Sequence, residues 1–175
     1  MKIAHCKLGP ALACAGMVLF VSLLGGCGFH LRSEARLPAS MQRVHVEIAD
    51  RFSPLARDLE KALGRSGAEV VDTVEPGVAV MKFTANSIST DVQSVGGNAR
   101  ANEYVIRHHV EFDVEDAAGT LLLPKQVIEL SRDFTFDASQ ALGIAAEQDV
   151  LTRELERDMV QTILRRLEAL ARAPH

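Results

Sequence analysis

The chain has 175 residues, a formal net charge of −4, three cysteines and no tryptophan. This length fits a single domain of ordinary size. The acidic balance argues against a nucleic-acid-binding protein, which would present a basic face, so any anionic ligand must be bound by a local group of basic side chains.

Residues 1–26 have the layout of a secretory signal peptide. Lys2 and Lys7 make the start positive, and residues 8–24 are uncharged and almost entirely apolar or small. A transmembrane anchor is the alternative, but it needs about 20 apolar residues, and glycine and proline interrupt this segment. We therefore predict a cleaved leader.

Cys27 directly follows Leu24-Gly25-Gly26, which is typical of a lipobox. In that chemistry the thiol takes a diacylglyceryl group, the leader is cut before Cys27, and the new amino group is acylated. Cys6 and Cys14 leave with the leader, so the mature chain keeps no thiol for a disulfide, for catalysis or for a metal site.

Cleavage would leave 149 residues with a formal charge of −6, because the leader's two charges are both lysines. An aspartate directly after the lipidated cysteine retains lipoproteins at the inner membrane, so Gly28 predicts the outer membrane. Residues 27–42 are predicted to be the lipidated N terminus and a tether, because Gly28, Pro38 and Ser40 interrupt any period. Residues 43–175 are predicted to form a single domain.

The domain begins with a predicted strand and helix. Val44, Val46 and Ile48 alternate with polar residues, as in a half-buried strand. Ser53-Pro54 then offers an N-cap and a first-turn residue for a helix, which Gly67 ends.

Three extended stretches follow. Residues 78–95 are long and mixed in pattern and end at a Gly-Gly-Asn turn, whereas 104–114 and 126–137 alternate, with apolar side chains at even positions. A tight loop with Gly119 in the left-handed region would put both even-numbered faces on one side of the sheet. Pro124 predicts a bulge or a sheet edge.

The last predicted element is a helix over about 145–171, which Pro174 ends. Its apolar stripe consists of Leu151, Leu155, Met159, Val160, Ile163, Leu164, Leu167 and Leu170. At ~1.5 Å per residue it runs roughly 40 Å, long enough to cross a whole sheet. The order β-α-β-β-β-α predicts an α+β fold with two helices packed on one face of a roughly four-stranded, mostly antiparallel sheet.

The opposite face of the sheet is predicted to be polar, either solvated or against a polar partner. His109, Glu111 and Asp113 lie on it at a spacing of two, which could hold a weak cation, but a solvated face explains them equally well, and we predict no metal site. Glu129 and Asp133 share this face.

Two polar residues lie in the apolar rows. His108 points away from His109, so the pair cannot bind one metal, and we predict a core histidine. Arg132 must be paired or reach water, and Glu103 or Tyr104 could serve as its partner; a ligand contact is the alternative.

No motif for catalysis stands out. Gly96-Gly97 lacks the third glycine and the following helix of a phosphate loop, and nothing resembles a nucleophile elbow or a paired-carboxylate site. We predict that the protein is not an enzyme and carries no cofactor beyond the diacylglycerol and N-acyl chain on Cys27.

Short motifs run along the mature chain in a characteristic order. It opens with Cys27-Gly28-Phe29-His30-Leu31-Arg32 and Leu37-Pro38. The later landmarks are a Gly-Asn turn, Glu103-Tyr104, Arg132 two residues before Phe134, Ala141-Leu142, Glu147-Gln148-Asp149 and the long terminal helix. Over about residues 27–171 this order resembles the LptE family of lipopolysaccharide-assembly lipoproteins.

The resemblance implies both a fold and a function. LptE-like proteins place two helices against a four-stranded sheet, sit largely inside the barrel of LptD as its plug and assembly partner, and bind lipopolysaccharide on its way to the cell surface. We therefore expect a lipid-anchored protein on the periplasmic side of the outer membrane. Its expected partners are an LptD-like β-barrel, lipopolysaccharide and the membrane, with no nucleic acid.

The family is implied to contact lipopolysaccharide through basic side chains at the turn between the middle strands and on the last strand. Here the turn reads Val95-Gly96-Gly97-Asn98-Ala99-Arg100, and the strand has Glu129 before Arg132. Arg100 and Arg132 are the nearest candidates, shifted in position.

Two other functions remain open. A generic outer-membrane lipoprotein adaptor without a glycolipid ligand would use the same layout. Co-purification with a large barrel protein would distinguish the LptE-like function from this adaptor. A lipid-anchored hydrolase is the second alternative, and the missing catalytic constellation argues against it.

Overall fold

The computed structural model describes residues 35–95, 101–135 and 141–172. Its regular elements, in chain order, are one turn of 3₁₀ helix (Ala39–Met41), β1 (Arg43–Glu47), α1 (Pro54–Arg65), β2 (Glu69–Val70), β3 (Ala79–Val95), β4 (Ala101–Glu115), β5 (Leu121–Thr135) and α2 (Ala141–Arg172). Among these residues, no helix is both long and apolar enough to cross a membrane.

The sheet has five strands in the order β2-β1-β3-β4-β5, one more than predicted. The additional strand, β2, consists of Glu69 and Val70 alone and pairs in parallel with β1. Two residues are too few to show an alternating pattern, which is why the sequence did not reveal this strand. The two-helix α+β architecture is as predicted.

Strand direction follows from the connections. β1 is followed by α1, and such a helical crossover returns the chain in the same direction, so β1 pairs in parallel with both β2 and β3. β3, β4 and β5 are consecutive in the chain and pair antiparallel over most of their length. The sheet is therefore mixed, with long antiparallel ladders and a short parallel edge.

The first helix begins and ends where the sequence indicates. The Ser53 hydroxyl accepts a hydrogen bond from the backbone N–H of Ala56 at 3.3 Å, and Pro54 occupies the first turn. After the helix, Gly67 has a φ of +90°, a conformation that a side chain would strain.

The long strand β3 has a mixed pattern of polar and apolar residues because a bulge exchanges which alternate residues face the helices. Its register with β4 shifts between Phe83 and Ala85, so one residue, Thr84, has no counterpart. Before the bulge Met81 faces the helices opposite Val114, and after it the even-numbered residues take that face. A single alternation therefore cannot run through the strand.

The β4–β5 hairpin confirms the prediction for Gly119, whose φ is +83°. The Asp116 carboxylate accepts hydrogen bonds from the backbone N–H groups of Ala118 at 2.9 Å and Thr120 at 2.8 Å. These bonds lower the pKa of Asp116. The ladder then bulges beside Pro124, and β5 is an edge strand, as predicted.

The core lies between the sheet and the two helices, which pack on the same face. Leu59 from α1, Phe112 from β4 and Ile163 from α2 belong to one buried cluster and are fully buried. Met41, within the segment predicted to be a tether, is also fully buried there. The predicted stripe of α2 is the buried one, and the helix starts four residues earlier than predicted.

Candidate functional site

The candidate site lies at the far end of the sheet, where β3, β4 and β5 continue past the short strand β1. We call this the distal end and define it as residues 85–95 of β3, 101–109 of β4 and 129–135 of β5. The register pairs Asp91 with Val105 and Val105 with Asp133, so three hydrogen-bonded strands lie side by side there. On the helix-covered face the cover comes from the first half of α2.

A small apolar cluster, separate from the main core, joins α2 to the distal end. Leu155 packs with Ile106 and Phe134, and none of the three residues has more than 7% of its surface exposed. The rings of Tyr104 and Phe134 stack with their centroids 5.3 Å apart. This end therefore has its own packing unit, smaller than the main core.

His108 lies beneath α2 with 1% of its surface exposed, which confirms the prediction of a core histidine. Its Nε2 is 2.9 Å from the Oδ1 of Asn86 on β3, a partner that the sequence did not suggest. Burial lowers the pKa of the imidazole, because the charged form loses its hydration there. The ring is therefore a neutral hydrogen-bonding group at neutral pH.

Arg132 is on the helix-covered face of β5, opposite Ile106. Its Nη2 donates to the Asp158 carboxylate of α2 at 2.5 Å, and its Nη1 donates to the backbone carbonyl of Ser131 at 3.0 Å. The predicted need for a partner or water is met, but by Asp158, which the sequence did not suggest. The side chain remains 40% exposed.

The other two predicted site residues, Cys27 and Arg100, lie outside the described residues. In the sequence Arg100 lies between β3, which ends at Val95, and β4, which begins at Ala101.

The sheet face away from the helices is rich in carboxylates, as predicted. Among the described side chains its Lys and Arg residues are Arg43, Lys82, Arg107 and Lys125. Each contacts a carboxylate: Arg43 contacts Glu69 and Glu75, and the other three contact Glu115, Asp91 and Glu111 respectively. The acids without such a Lys or Arg contact among those described are Glu47, Glu103, Asp113, Glu129 and Asp133. We call this surface the acidic face.

Two of the three residues considered for a cation, His109 and Glu111, contact other side chains. The Glu111 carboxylate contacts Lys125 and lies 3.3 Å from the Nε2 of His109, and the bond from Lys125 is the main cause of its lowered pKa. In the described parts of the chain, no group of three or more His, Cys, Asp or Glu side chains has a metal-binding arrangement.

Gln148 is a contact residue whose role only the structure shows. Its Nε2 donates to the Thr90 hydroxyl of β3 at 3.1 Å, so α2 is fixed to β3 as well as to β5. The resemblance had singled out Glu147-Gln148-Asp149 without a reason for it, and a position of this kind cannot be found from periodicity alone.

Comparison with known proteins agrees with this geometry. A sequence model of the family described as LptE, lipopolysaccharide-assembly, matches residues 41–167. "LPS-assembly lipoprotein LptE" of Photorhabdus laumondii is 26% identical over 149 residues, covering 85% of this chain and 81% of that protein. The protein of the same name from Yersinia pestis is 29% identical over 150 residues, covering 85% and 72%.

Solved structures share the fold. The solution structure of lipoprotein B from Nitrosomonas europaea superposes with a TM-score of 0.71 and 29% identity, covering 83% of this chain and 94% of that one. Rare lipoprotein B from Shewanella oneidensis, at 23% identity, has a TM-score of 0.63 and coverages of 73% and 94%. Because the family match spans the sheet and both helices, this chain belongs to LptE, the lipopolysaccharide-assembly family.

Proposed function

We propose that this protein is an outer-membrane lipoprotein that pairs with an LptD-like β-barrel as its plug and assembly partner. In this role it helps to deliver lipopolysaccharide to the outer leaflet. The observation that carries the proposal is the family match over residues 41–167, which includes the buried core, all five strands and most of α2. The relatives' name, LPS-assembly lipoprotein, supports it.

The same proposal assigns roles to three residues. Cys27 carries the diacylglyceryl and N-acyl groups that hold the protein on the periplasmic side of the outer membrane. Arg100 and Arg132 contact lipopolysaccharide phosphates, for which guanidinium groups have a fitting forked geometry. No residue has a catalytic role in this function. The position of Arg132 on β5 at the distal end supports it, and in the sequence Arg100 directly precedes Ala101, the first residue of β4.

One observation favours the second candidate, an adaptor without a glycolipid ligand. The acidic face holds its Lys and Arg residues in ion pairs, and Arg132 is paired with Asp158, so the described residues offer few cations to a phosphate. An adaptor needs only the protein-binding part of the function. Glycolipid binding by the purified domain separates the two candidates.

The partner is tested by isolating the tagged, full-length protein from outer membranes in a mild detergent. We expect a stoichiometric complex with one large β-barrel protein, identified by mass spectrometry. The matched control is an unrelated tagged outer-membrane lipoprotein expressed at the same level. Recovery of the tagged protein without a barrel, or of the same barrel with the control, would overturn the proposed pairing.

A further inference from the structure

β3 has one edge that is paired with another strand over only four residues. β4 lies along one side from Val80 to Val95, whereas β1 lies along the other side only at Ala79–Lys82. In the sheet order of the described strands, nothing flanks β3 on that side from Phe83 onward. The backbone groups that point to this side are donors and acceptors without a strand partner.

From Phe83 onward, this unpaired edge of β3 lacks most of the features by which proteins block unwanted strand pairing. The segment from Phe83 to Val92 contains no proline, lysine or arginine. Its one charged residue is Asp91, whose Oδ2 forms an ion pair with the Nη1 of Arg107 at 2.7 Å. The outer edge of β5 differs, because it carries Pro124 and Lys125 beside a bulge.

The regular part of this edge is long enough for a strand. Register shifts occur near Thr84 and again after Val92, and between them Ala85–Val92 keeps an unbroken register with β4. At roughly 3.4 Å per residue this stretch is about 25 Å long. Strands of that length are ordinary in globular proteins. We call Ala85–Val92 the open edge.

The side chains of the open edge differ between its two faces. On the helix-covered face Ile88 and Val92 are 40% and 54% exposed, with Thr90 between them held by Gln148. On the acidic face Ser87 and Ser89 are small and exposed. A further strand with apolar side chains at alternate positions would cover Ile88 and Val92, the exposed part of the apolar row.

We propose that the open edge accepts an extended segment of the partner barrel protein as a sixth strand of the sheet. The segment has apolar side chains on the helix-covered face and lysine or arginine on the acidic face. The inference rests on the proposed function for the identity of the partner. The binding mode itself follows from the unpaired backbone and the alternation of the edge.

Charge favours a foreign segment over a second copy of this chain. Two copies pairing antiparallel through this edge would be related by an axis perpendicular to the sheet, so both acidic faces would lie on the same side of the joined sheet. Like charges brought together in this way repel, whereas a segment with basic side chains on that face is attracted.

The test is amide hydrogen exchange on the isolated full-length protein and on its purified complex with the barrel. We expect residues 85–92 to exchange at least about tenfold more slowly in the complex, because the new backbone bonds protect their amides. The comparison region is the outer edge of β5, whose exchange is expected to stay unchanged.

Paired variants test the side chains. Ile88→Lys with Val92→Lys should weaken the complex by at least about tenfold. Val127→Lys on β5, where the parent side chain is 54% exposed like Val92, is the matched control and should leave the complex intact. Thermal melting of each variant alone verifies that it folds.

The outcomes are distinguishable. If no barrel complex forms with the parent protein, the proposed function itself fails. A complex that forms without protection of residues 85–92, or that tolerates both edge substitutions, overturns strand addition alone. Concentration-dependent dimers of the isolated protein by light scattering, with the same residues protected, would make a second copy the occupant and also overturn it.

Discussion

The guanidinium of Arg132 on β5 lies 2.5 Å from a carboxylate oxygen of Asp158 on α2. This ion pair joins the edge strand to the long helix at the distal end, beside the stacked rings of Tyr104 and Phe134. The two side chains are 40% and 51% exposed. Because Arg132 is also the proposed phosphate ligand, the proposal implies that Asp158 would compete with the glycolipid for the same guanidinium.

This competition predicts opposite effects of the two partners. Asp158→Asn should strengthen lipopolysaccharide binding severalfold because it releases the guanidinium, and Arg132→Gln should weaken it. Each change should cost at most about 1 kcal/mol of stability, as expected for an exposed ion pair. Binding of the soluble domain to purified lipopolysaccharide and urea unfolding provide the measurements. Parent-like binding by both variants would leave Arg132 with a structural role only.

The buried stripe of α2 predicts a sharp contrast along one helix. Leu155→Ala and Ile163→Ala should each lower the free energy of unfolding by about 2–5 kcal/mol, because both side chains are fully buried. Arg157→Ala on the exposed side should change it by less than about 0.5 kcal/mol. Denaturant unfolding measures all three, and equal losses would show that the helix packs through a different face.

Sequence reasoning located features that depend on neighbouring residues. The cap of α1 at Ser53 and the left-handed Gly119 are examples of turn chemistry, and the α2 stripe follows from a period of 3.6. Each is determined within one element, so the pattern is complete in the sequence.

What could not be read from the sequence depends on which elements meet. The bulge at Thr84 hides the alternation of β3, and two residues of β2 carry no pattern at all. His108 and Arg132, the two polar residues in the apolar rows, are bonded to residues of other elements. Asn86, the partner of His108, is 22 positions away in the sequence, and Asp158, the partner of Arg132, is 26 positions away. The strand register brings Asn86 to His108, and the packing of α2 on the sheet brings Asp158 to Arg132.

His108 predicts a loss of stability on acidification. Its pKa in the folded protein is lowered by burial, so the unfolded chain binds the proton more readily. Stability should therefore be greatest above the unfolded pKa of about 6.5 and decrease as pH falls below it. His108→Gln, which stays neutral, should flatten this dependence. Urea unfolding between about pH 8 and pH 5 is the measurement, and identical slopes for variant and parent would assign the dependence to other groups.

Cys27 is predicted to be the lipid attachment site. One acyl chain gives only marginal membrane attachment, so several chains on one cysteine are needed to hold the protein permanently. We expect Cys27→Ala to abolish lipidation and to leave the leader uncut, while Cys14→Ala, the control, matures normally. Mass spectrometry of the membrane fraction measures lipidation and leader cleavage in each variant. A Cys27→Ala protein with the mass of the mature lipidated form would contradict the assignment.

Arg100 provides the most direct test of the glycolipid proposal. A chain of net charge −4 needs local cations for a phosphate, and in the sequence Arg100 lies three residues after Gly97, between β3 and β4. Arg100→Glu should weaken lipopolysaccharide binding at least tenfold, roughly 1.4 kcal/mol, and leave the melting temperature and the barrel complex nearly unchanged. Arg166→Glu on the exposed side of α2 is the control with the same change of charge.

Salt and a conservative variant identify the nature of the Arg100 contact. An ionic contact must weaken with screening, so the difference between parent and Arg100→Glu should shrink at high salt. Arg100→Lys keeps the charge but loses the forked, two-point geometry, and we expect binding between those of the parent and Arg100→Glu. If Arg100→Glu binds like the parent at both salt concentrations while Arg166→Glu does the same, Arg100 is a solvated turn residue. The adaptor function without a glycolipid ligand would then be the better account of this protein.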